Sequence, residues 1–459
     1  MPSTHPSRTL TLRTALALGI SLAACGSLPV LAQDAPAPAT QAAPPGPATQ
    51  PPPPPGTAQP GPTQPAAAPA PPGTTTAPGA PAAAPAAAPV NYNVQYNGLI
   101  DGYYLFNFRN PKNVVGGQNG AVPGEQYYDT RHNSPSLSLA ELNVFKTARP
   151  SAFGFKATFM TGDTADINHF DYQGASQGRG EARFKNVQQL YATYALGGDG
   201  AGIDFGKFYS PFGYEVTESN GNYNYSRSTA FNLVPFYHAG ARIYTPIPHL
   251  AALTATFYLV NGVYNTPTMG VQNDSKRPGY MGQLNYTDPK GKFTLISELG
   301  LDKQKFGGTV DQTGPNTKII VNDNNFTYNF NANQLFGLDY VYLKTTPDGL
   351  PKTTSNGYAV YYRQALTAKN AIALRFSGYS AKTDGSGGSA SSTARPYDIT
   401  ATYEIKPVAN FLTRLEYRHD HTNYDGGNNP SVAYGFYGGN SLPTKSDQDT
   451  LSLSGVFTF

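Results

Sequence analysis

From residue 91 to the C-terminus the chain alternates apolar and polar residues with period two. The end of the chain shows it most clearly. Leu451, Leu453, Gly455, Phe457 and Phe459 fall on one face, and Ser452, Ser454, Val456 and Thr458 on the other. Tyr397, Ile399, Ala401, Tyr403 and Ile405 alternate in the same way with Asp398, Thr400, Thr402 and Glu404. Phe411, Thr413, Leu415 and Tyr417 alternate with Leu412, Arg414, Glu416 and Arg418. Successive side chains of a strand point to opposite faces, so each stretch builds a sheet with one greasy side and one polar side. No apolar run after residue 32 approaches the roughly 20 residues of a membrane-spanning helix. Composition decides what the greasy side meets. Tyr and Phe number 32 and 24, with no Trp, while charged residues are 13% of the chain. That charged share is about half of what a soluble domain carries. A sheet so aromatic and so poor in charge fits a transmembrane barrel, with lipid outside and water inside.

The connections sharpen this reading. Short turn-like segments stand at 148–151, 197–200, 246–249, 288–291, 331–334, 366–370 and 406–410. Longer polar stretches stand between them, at 109–134, 163–184, 209–233, 263–278, 303–322, 346–355, 382–394 and 420–446. Short and long alternate strictly, as short periplasmic turns and long external loops do in outer-membrane barrels. The expectation is an all-β, antiparallel up-and-down barrel of about 16 strands with both ends in the periplasm. Stretch 324–345 is the least clear part of the count. A barrel of this size leaves an aqueous lumen, whereas about eight strands would be filled by their own side chains.

The first 90 residues divide in two. Arg8 and Arg13 precede an apolar run from Ala15 to Ala24, followed by small residues, which reads as a secretory signal over 1–32. Two processing sites compete. Leu22-Ala23-Ala24-Cys25 before Gly26 suits a lipoprotein, with Cys25 acylated; Val30-Leu31-Ala32 before Gln33 suits ordinary cleavage. Some 16 strands anchor a protein far more firmly than an acyl chain, which favours the second. Residues 33–90 are almost entirely Ala, Pro, Gly, Gln and Thr, so they form neither helix nor sheet. They read as a disordered periplasmic linker, either a plain solvated spacer or an arm in contact with peptidoglycan. Residues 91–459 are the barrel.

The richest loop is the third long one. It runs within Phe205–Arg242 and carries Lys207, Glu215, Glu218, Arg227, His238 and Arg242. General porins fold their third loop inward, and facing acids and bases across such a constriction select solutes by charge and size. Arg363, Arg375, Arg414, Glu416 and Arg418 are the expected wall residues opposite it, and charge reversal at Arg227 is expected to change ion selectivity. The same segment carries a resemblance. Gly206-Lys207-Phe208, Pro211-Phe212-Gly213, Glu215, Ser226-Arg227-Ser228, Pro235, His238, Gly240 and Asn261-Gly262 resemble the putative beta-barrel porin type 2 family. The resemblance extends over most of 96–459, and implies an outer-membrane pore while saying little about the solute. The Pro-rich arm is not part of that family's pattern.

Other features point less far. Phe457 and Phe459 close the chain as the assembly signal of outer-membrane barrels does, which implies recognition by the barrel assembly machinery. His419-Asp420-His421 suggests metal, since residues two apart on a strand point the same way. No third or fourth ligand is identifiable, so no metal and no cofactor is expected. Tyr103, Tyr104, Phe106, Tyr286, Tyr340, Tyr342, Tyr361, Tyr362 and Tyr417 are expected in the interfacial girdles. The glycine-rich 384–392 ends in no Lys-Ser/Thr pair and is a loop, not a phosphate cradle. His238, His419 and His421 pair with no nucleophile, so an enzyme is not expected. A formal charge of +3 gives no argument for nucleic acid.

These readings converge on a porin-like channel of the bacterial outer membrane, set in its lipid and passing small hydrophilic solutes or ions. The alternatives are a non-conducting surface or tether barrel whose loops or arm bind a partner, and a rim-located enzyme. A homotrimer is expected only by analogy with other porins of about 16 strands.

Overall fold

The alternation resolves into strands that pair only with antiparallel neighbours. The computed structural model describes residues 91–109, 126–169, 185–197, 200–263, 277–305, 315–385, 391–422, 436–437 and 443–459. The signal at 1–32, Cys25 and the Pro-rich 33–90 lie outside the described residues.

Sixteen long strands form the wall. They are β1 (Gln95–Asn107), β2 (Pro135–Lys146), β3 (Phe153–Thr161), β4 (Val187–Ala195), β5 (Gly202–Tyr209), β6 (Tyr237–Ile247), β7 (Leu250–Val260) and β8 (Gly279–Thr287). The second half comprises β9 (Phe293–Lys305), β10 (Asn316–Asn331), β11 (Gln334–Pro347), β12 (Thr353–Ala365), β13 (Asn370–Thr383), β14 (Tyr397–Val408), β15 (Phe411–His421) and β16 (Asp447–Thr458). Each pairs with its sequence neighbours, and β1 pairs with both β2 and β16, so the sheet closes on itself. Closure leaves no edge strand, so the ladders can satisfy the wall's backbone groups without water. The seam is held at its end by the last residue. Gly98 N donates to Phe459 O at 3.0 Å and Phe459 N donates to Gly98 O at 3.1 Å.

The two faces match the two-residue period. Leu453, Leu415, Ile399, Leu374 and Phe376 stand exposed on the outside, while Ser452, Ser454, Thr400 and Thr402 are buried within. An apolar band of this extent facing outward is a lipid surface. The expected short turns all fall at observed connections. In the β8–β9 turn, for instance, Gly291 takes φ 68° and its N–H donates to Asp288 O at 2.8 Å.

Two expectations change. The stretch 303–322 was expected as loop, yet β9 runs to Lys305 and β10 begins at Asn316. The alternation there is masked because the inward residues Ile319 and Val321 are apolar, while the outward Lys318 and Asn322 are polar and only Ile320 between them is apolar. Inward apolar residues make sense only once something apolar fills the lumen. The stretch 163–184 also opens with a short helix, α1 (Asp163–Asn168).

The hydrophobic core is therefore inside the barrel. Phe212, Phe231, Leu233, Val234 and Phe236, all from the β5–β6 connection, cluster with Tyr258, Val260, Met281, Ile319, Val321 and Val341 of the wall.

Candidate functional site

The connection from Ser210 to Phe236 turns into the lumen, and the turn begins in backbone geometry. Gly213 has φ 103°, a conformation that favours glycine, and its N–H donates to Asp323 on β10. The next side chain crosses to the far wall. Tyr214 stacks on Tyr361 of β12 with centroids 4.6 Å apart, and its hydroxyl lies 3.0 Å from Thr327 Oγ1. The wall makes room for it: a Cβ on Gly337 would lie 2.3 Å from the Tyr214 hydroxyl. Gly357 makes similar room for Leu233, whose Cδ1 lies 2.8 Å from where a Cβ would stand.

The loop is stapled within itself. Arg227 donates from Nε to Val216 O at 3.0 Å and from its two terminal nitrogens to the carbonyls of Tyr225 and Thr217. Asn222 spans the same turn, accepting from Val216 N at 2.9 Å and donating to Val216 O at 2.8 Å. Ser228 caps a short 3-10 turn, its Oγ accepting from Phe231 N at 3.2 Å.

Charged wall residues then hold the loop from outside. Arg375 on β13 pairs with Glu215 at 3.1 Å and with Asp398 on β14 at 2.9 Å. Asp398 accepts from Thr229 N at 3.0 Å and Thr229 Oγ1 at 2.8 Å. Glu416 on β15 accepts from the backbone N–H of Tyr225 at 2.6 Å and of Ser226 at 2.9 Å. Arg414 donates to the carbonyls of Ser219 and Asn222 at 2.8 and 2.6 Å, and Arg418 to that of Arg227 at 2.6 Å. Two strands along the wall from β15, Asp101 on β1 accepts from Ser219 Oγ at 2.6 Å and Tyr225 Oη at 3.1 Å. Burial, with the Asp101 carboxylate beside it, pushes the Tyr225 phenol well up, so it stays a donor.

Most of the remaining charged residues lie apart from this clamp. Lys207, at the end of β5, is fully buried, with Nζ 2.6 Å from His169 Nε2 and 4.2 Å from the Tyr237 ring centroid. Glu218 accepts from the Tyr209 hydroxyl. His238 Nε2 lies 3.1 Å from Ser210 Oγ, fixing the point where the loop leaves the wall. Arg242 pairs with Asp204 at 2.7 Å between the rings of Tyr191 and Phe208, away from the loop tip. Arg363 and Arg414 share Glu404 at 2.8 and 3.2 Å. The charges thus face one another mostly as matched, water-poor pairs.

His419 and His421 point out of the barrel, to Asp449 at 2.9 Å and Asp447 at 2.6 Å. Asp420 points inward to Arg418 at 2.6 Å, so the three residues cannot share one ion. Among the described residues no group of three or more His, Cys, Asp or Glu is arranged to hold a metal. Two girdle expectations are corrected. Tyr103 and Tyr361 face the loop, while Tyr104, Tyr340 and Tyr417 are exposed outside. Asp101, Asp323, Asp398 and Tyr214 were not singled out from sequence. Strand parity alone places the three acids inside, but nothing local marks them as loop receptors.

Comparison with known proteins agrees with the architecture. OmpT of Vibrio cholerae with loop L8 deleted, an outer membrane protein, superposes with TM-score 0.51 at 11% identity, covering 80% of this chain and 99% of that one. An anion-selective porin from Comamonas acidovorans gives TM-score 0.51 at 12% identity, again covering 80% and 99%. At such identity the likeness speaks for the fold alone. No curated protein matches the chain. A family model described as Putative beta-barrel porin-2, OmpL-like, matches residues 93–459, the whole of the observed wall. The chain belongs to that family, and is a porin-type barrel of the bacterial outer membrane.

Proposed function

We propose that the protein is a passive diffusion channel for small hydrophilic solutes or ions, with the third long loop, about 209–233, as its constriction. One observation carries the reading: loop residues 213–229 are bonded to lumen-facing side chains of β1, β10, β13, β14 and β15. A loop held across a wide barrel narrows the aqueous route through it. Purified, refolded and heat-modifiable protein in planar bilayers is expected to give discrete conductance steps.

The tightness of the same packing favours a second reading, a barrel that conducts little and acts through its surface. Asp398 is 0% exposed, Arg375 1% and Glu416 2%. Absence of any discrete step in correctly folded protein would select this reading and reject the first. A rim-located enzyme has no comparable support.

The ends of the chain enter the same proposal. Residues 1–32 would direct export, with Cys25 either removed with the signal or acylated. Residues 33–90 would lie in the periplasm as a spacer or a peptidoglycan-contacting arm. Phe457 and Phe459 would engage the assembly machinery, and the assembled form would be a homotrimer.

A further inference from the structure

The end of the barrel that carries the short turns also carries a cationic pocket, on the outer face beside the start of β1. Lys146 closes β2 on that face, opposite Phe155 of β3 in register. On its other side Val94 stands one step beyond the Gln95–Phe145 pair of β1 and β2. Arg149 follows in the β2–β3 turn, and that turn is fixed. Ala152 N donates to Arg149 O at 3.0 Å, Ser151 takes φ 56°, and Ser151 N donates to Ala195 O at 3.0 Å. The Arg149 guanidinium carbon lies 5.1 Å from the Tyr92 ring centroid, so the ring face holds the cation in place. Together Tyr92, Val94, Lys146, Arg149 and Phe153 line an open cavity of about 390 Å³.

Two observations say what fills it. The cations have no counter-charge: among the described residues neither Lys146 nor Arg149 forms an ion pair or donates a side-chain hydrogen bond. Lysines of two other short turns are engaged, Lys369 Nζ donating to Pro407 O at 3.0 Å and Lys292 Nζ to Phe330 O at 3.4 Å. The surroundings are also greasy. Phe153 is 69% exposed, Tyr96 73% and Val94 59%, on the face that meets lipid. A free anion in water gains nothing from such walls. A lipid with an anionic head uses both, its phosphate on the two cations and its chains along the aromatic and aliphatic side chains.

We propose that this pocket binds the phosphodiester of an anionic glycerophospholipid, phosphatidylglycerol in class, from the leaflet that meets the short-turn end. That end is the periplasmic one in outer-membrane barrels, so the inference rests on this orientation and not on whether the barrel conducts. Arg149 offers a planar fork of donors to the phosphate oxygens, and Lys146 adds a point charge. A zwitterionic head brings its own ammonium to its phosphate and gains less from two cations.

The test is native mass spectrometry of the full chain released from mixed micelles of phosphatidylglycerol and phosphatidylcholine in equal amounts. Wild-type protein should retain phosphatidylglycerol several-fold over phosphatidylcholine. The double variant Lys146→Gln, Arg149→Gln should lower that preference several-fold. Both side chains are exposed and form no ion pair among the described residues, so heat-modifiable migration should be kept. Arg149→Gln alone should give a smaller loss and covers the case in which the double variant fails to assemble. Lys290→Gln, at another short turn, should leave retention unchanged. Equal retention of the two lipids by the wild type overturns the inference. So does a loss from Lys290→Gln as large as from the double variant, because the rim then attracts lipid by diffuse charge alone. Displacement by millimolar inorganic phosphate, or stronger retention of lipid A than of phosphatidylglycerol, also overturns it, since the pocket then serves free phosphate or the opposite leaflet.

Discussion

Removing residues 214–233 and joining Gly213 to Val234 through a short glycine linker raises the single-channel conductance several-fold. The two ends already lie together: a Cβ on Gly213 would be 3.3 Å from Val234 Cγ2. The excision cuts no wall strand, since β5 ends at Tyr209 and β6 begins at Tyr237. The ladder hydrogen bonds that close the barrel remain, and heat-modifiable migration should be kept. Inside, the change is large. Glu215, Arg227, Thr229, Phe231 and Leu233 leave the lumen together, and Asp101, Arg375, Asp398 and Glu416 meet water in their place. A wall with that many charges hydrates readily, and a barrel of about 16 strands is wide enough to conduct once nothing crosses it. The thermal midpoint should fall as well, because Phe231 and Leu233 leave the hydrophobic cluster that also holds Ile319, Val321 and Val341. An unchanged conductance would mean that solute passes by a route the loop does not limit.

The wall was legible in the sequence because strand parity and turn chemistry are local. Asp288-Pro289-Lys290-Gly291 specifies its own turn, and Leu451 to Phe459 specify their own faces. The loop's destination was not legible because its partners are remote. Gly213 meets Asp323 across 110 residues of chain, and Tyr225 meets Glu416 across 191. The paired tyrosines show where local reasoning stops. Tyr103-Tyr104 and Tyr361-Tyr362 each read as girdle, yet parity must send one of each pair inward. The inward members, Tyr103 and Tyr361, are the ones that pack against loop residues Tyr225 and Tyr214, the first tilted and the second stacked. The arginines Arg375, Arg414 and Arg418 were expected on the wall from alternation. What alternation could not convey is that their charge is matched by acids and carbonyls at contact distance, so that they act as clamps as well as lining.

Arg375→Gln should loosen the loop more than any other single change in the wall. The guanidinium donates from Nε to Asp398 at 2.9 Å, from Nη1 to Glu215 at 3.1 Å, and from Nη2 to Ser226 Oγ and Thr400 Oγ1 at 3.0 Å each. Glutamine is shorter and neutral, so buried Glu215 loses its counter-charge and Asp398 is left with only the more distant Arg418, at 3.9 Å. Breaking a buried ion pair by removing one partner costs about 3–5 kcal/mol. The β13–β14 ladder is backbone and does not feel the loss, so the strain falls on Glu215 and the loop that carries it. Water must enter to solvate the two acids, and the loop must move to admit it. The measurable result is a lower thermal midpoint together with larger and noisier conductance steps. Adding Glu215→Gln should recover part of both effects, since the second substitution removes one of the stranded charges. Neighbours in one network are coupled in this way and do not add. Strictly additive losses in the double variant would mean that Arg375 and Glu215 act separately, and the clamp would then have to be assigned to Glu416 and Asp398, which hold the loop by its backbone.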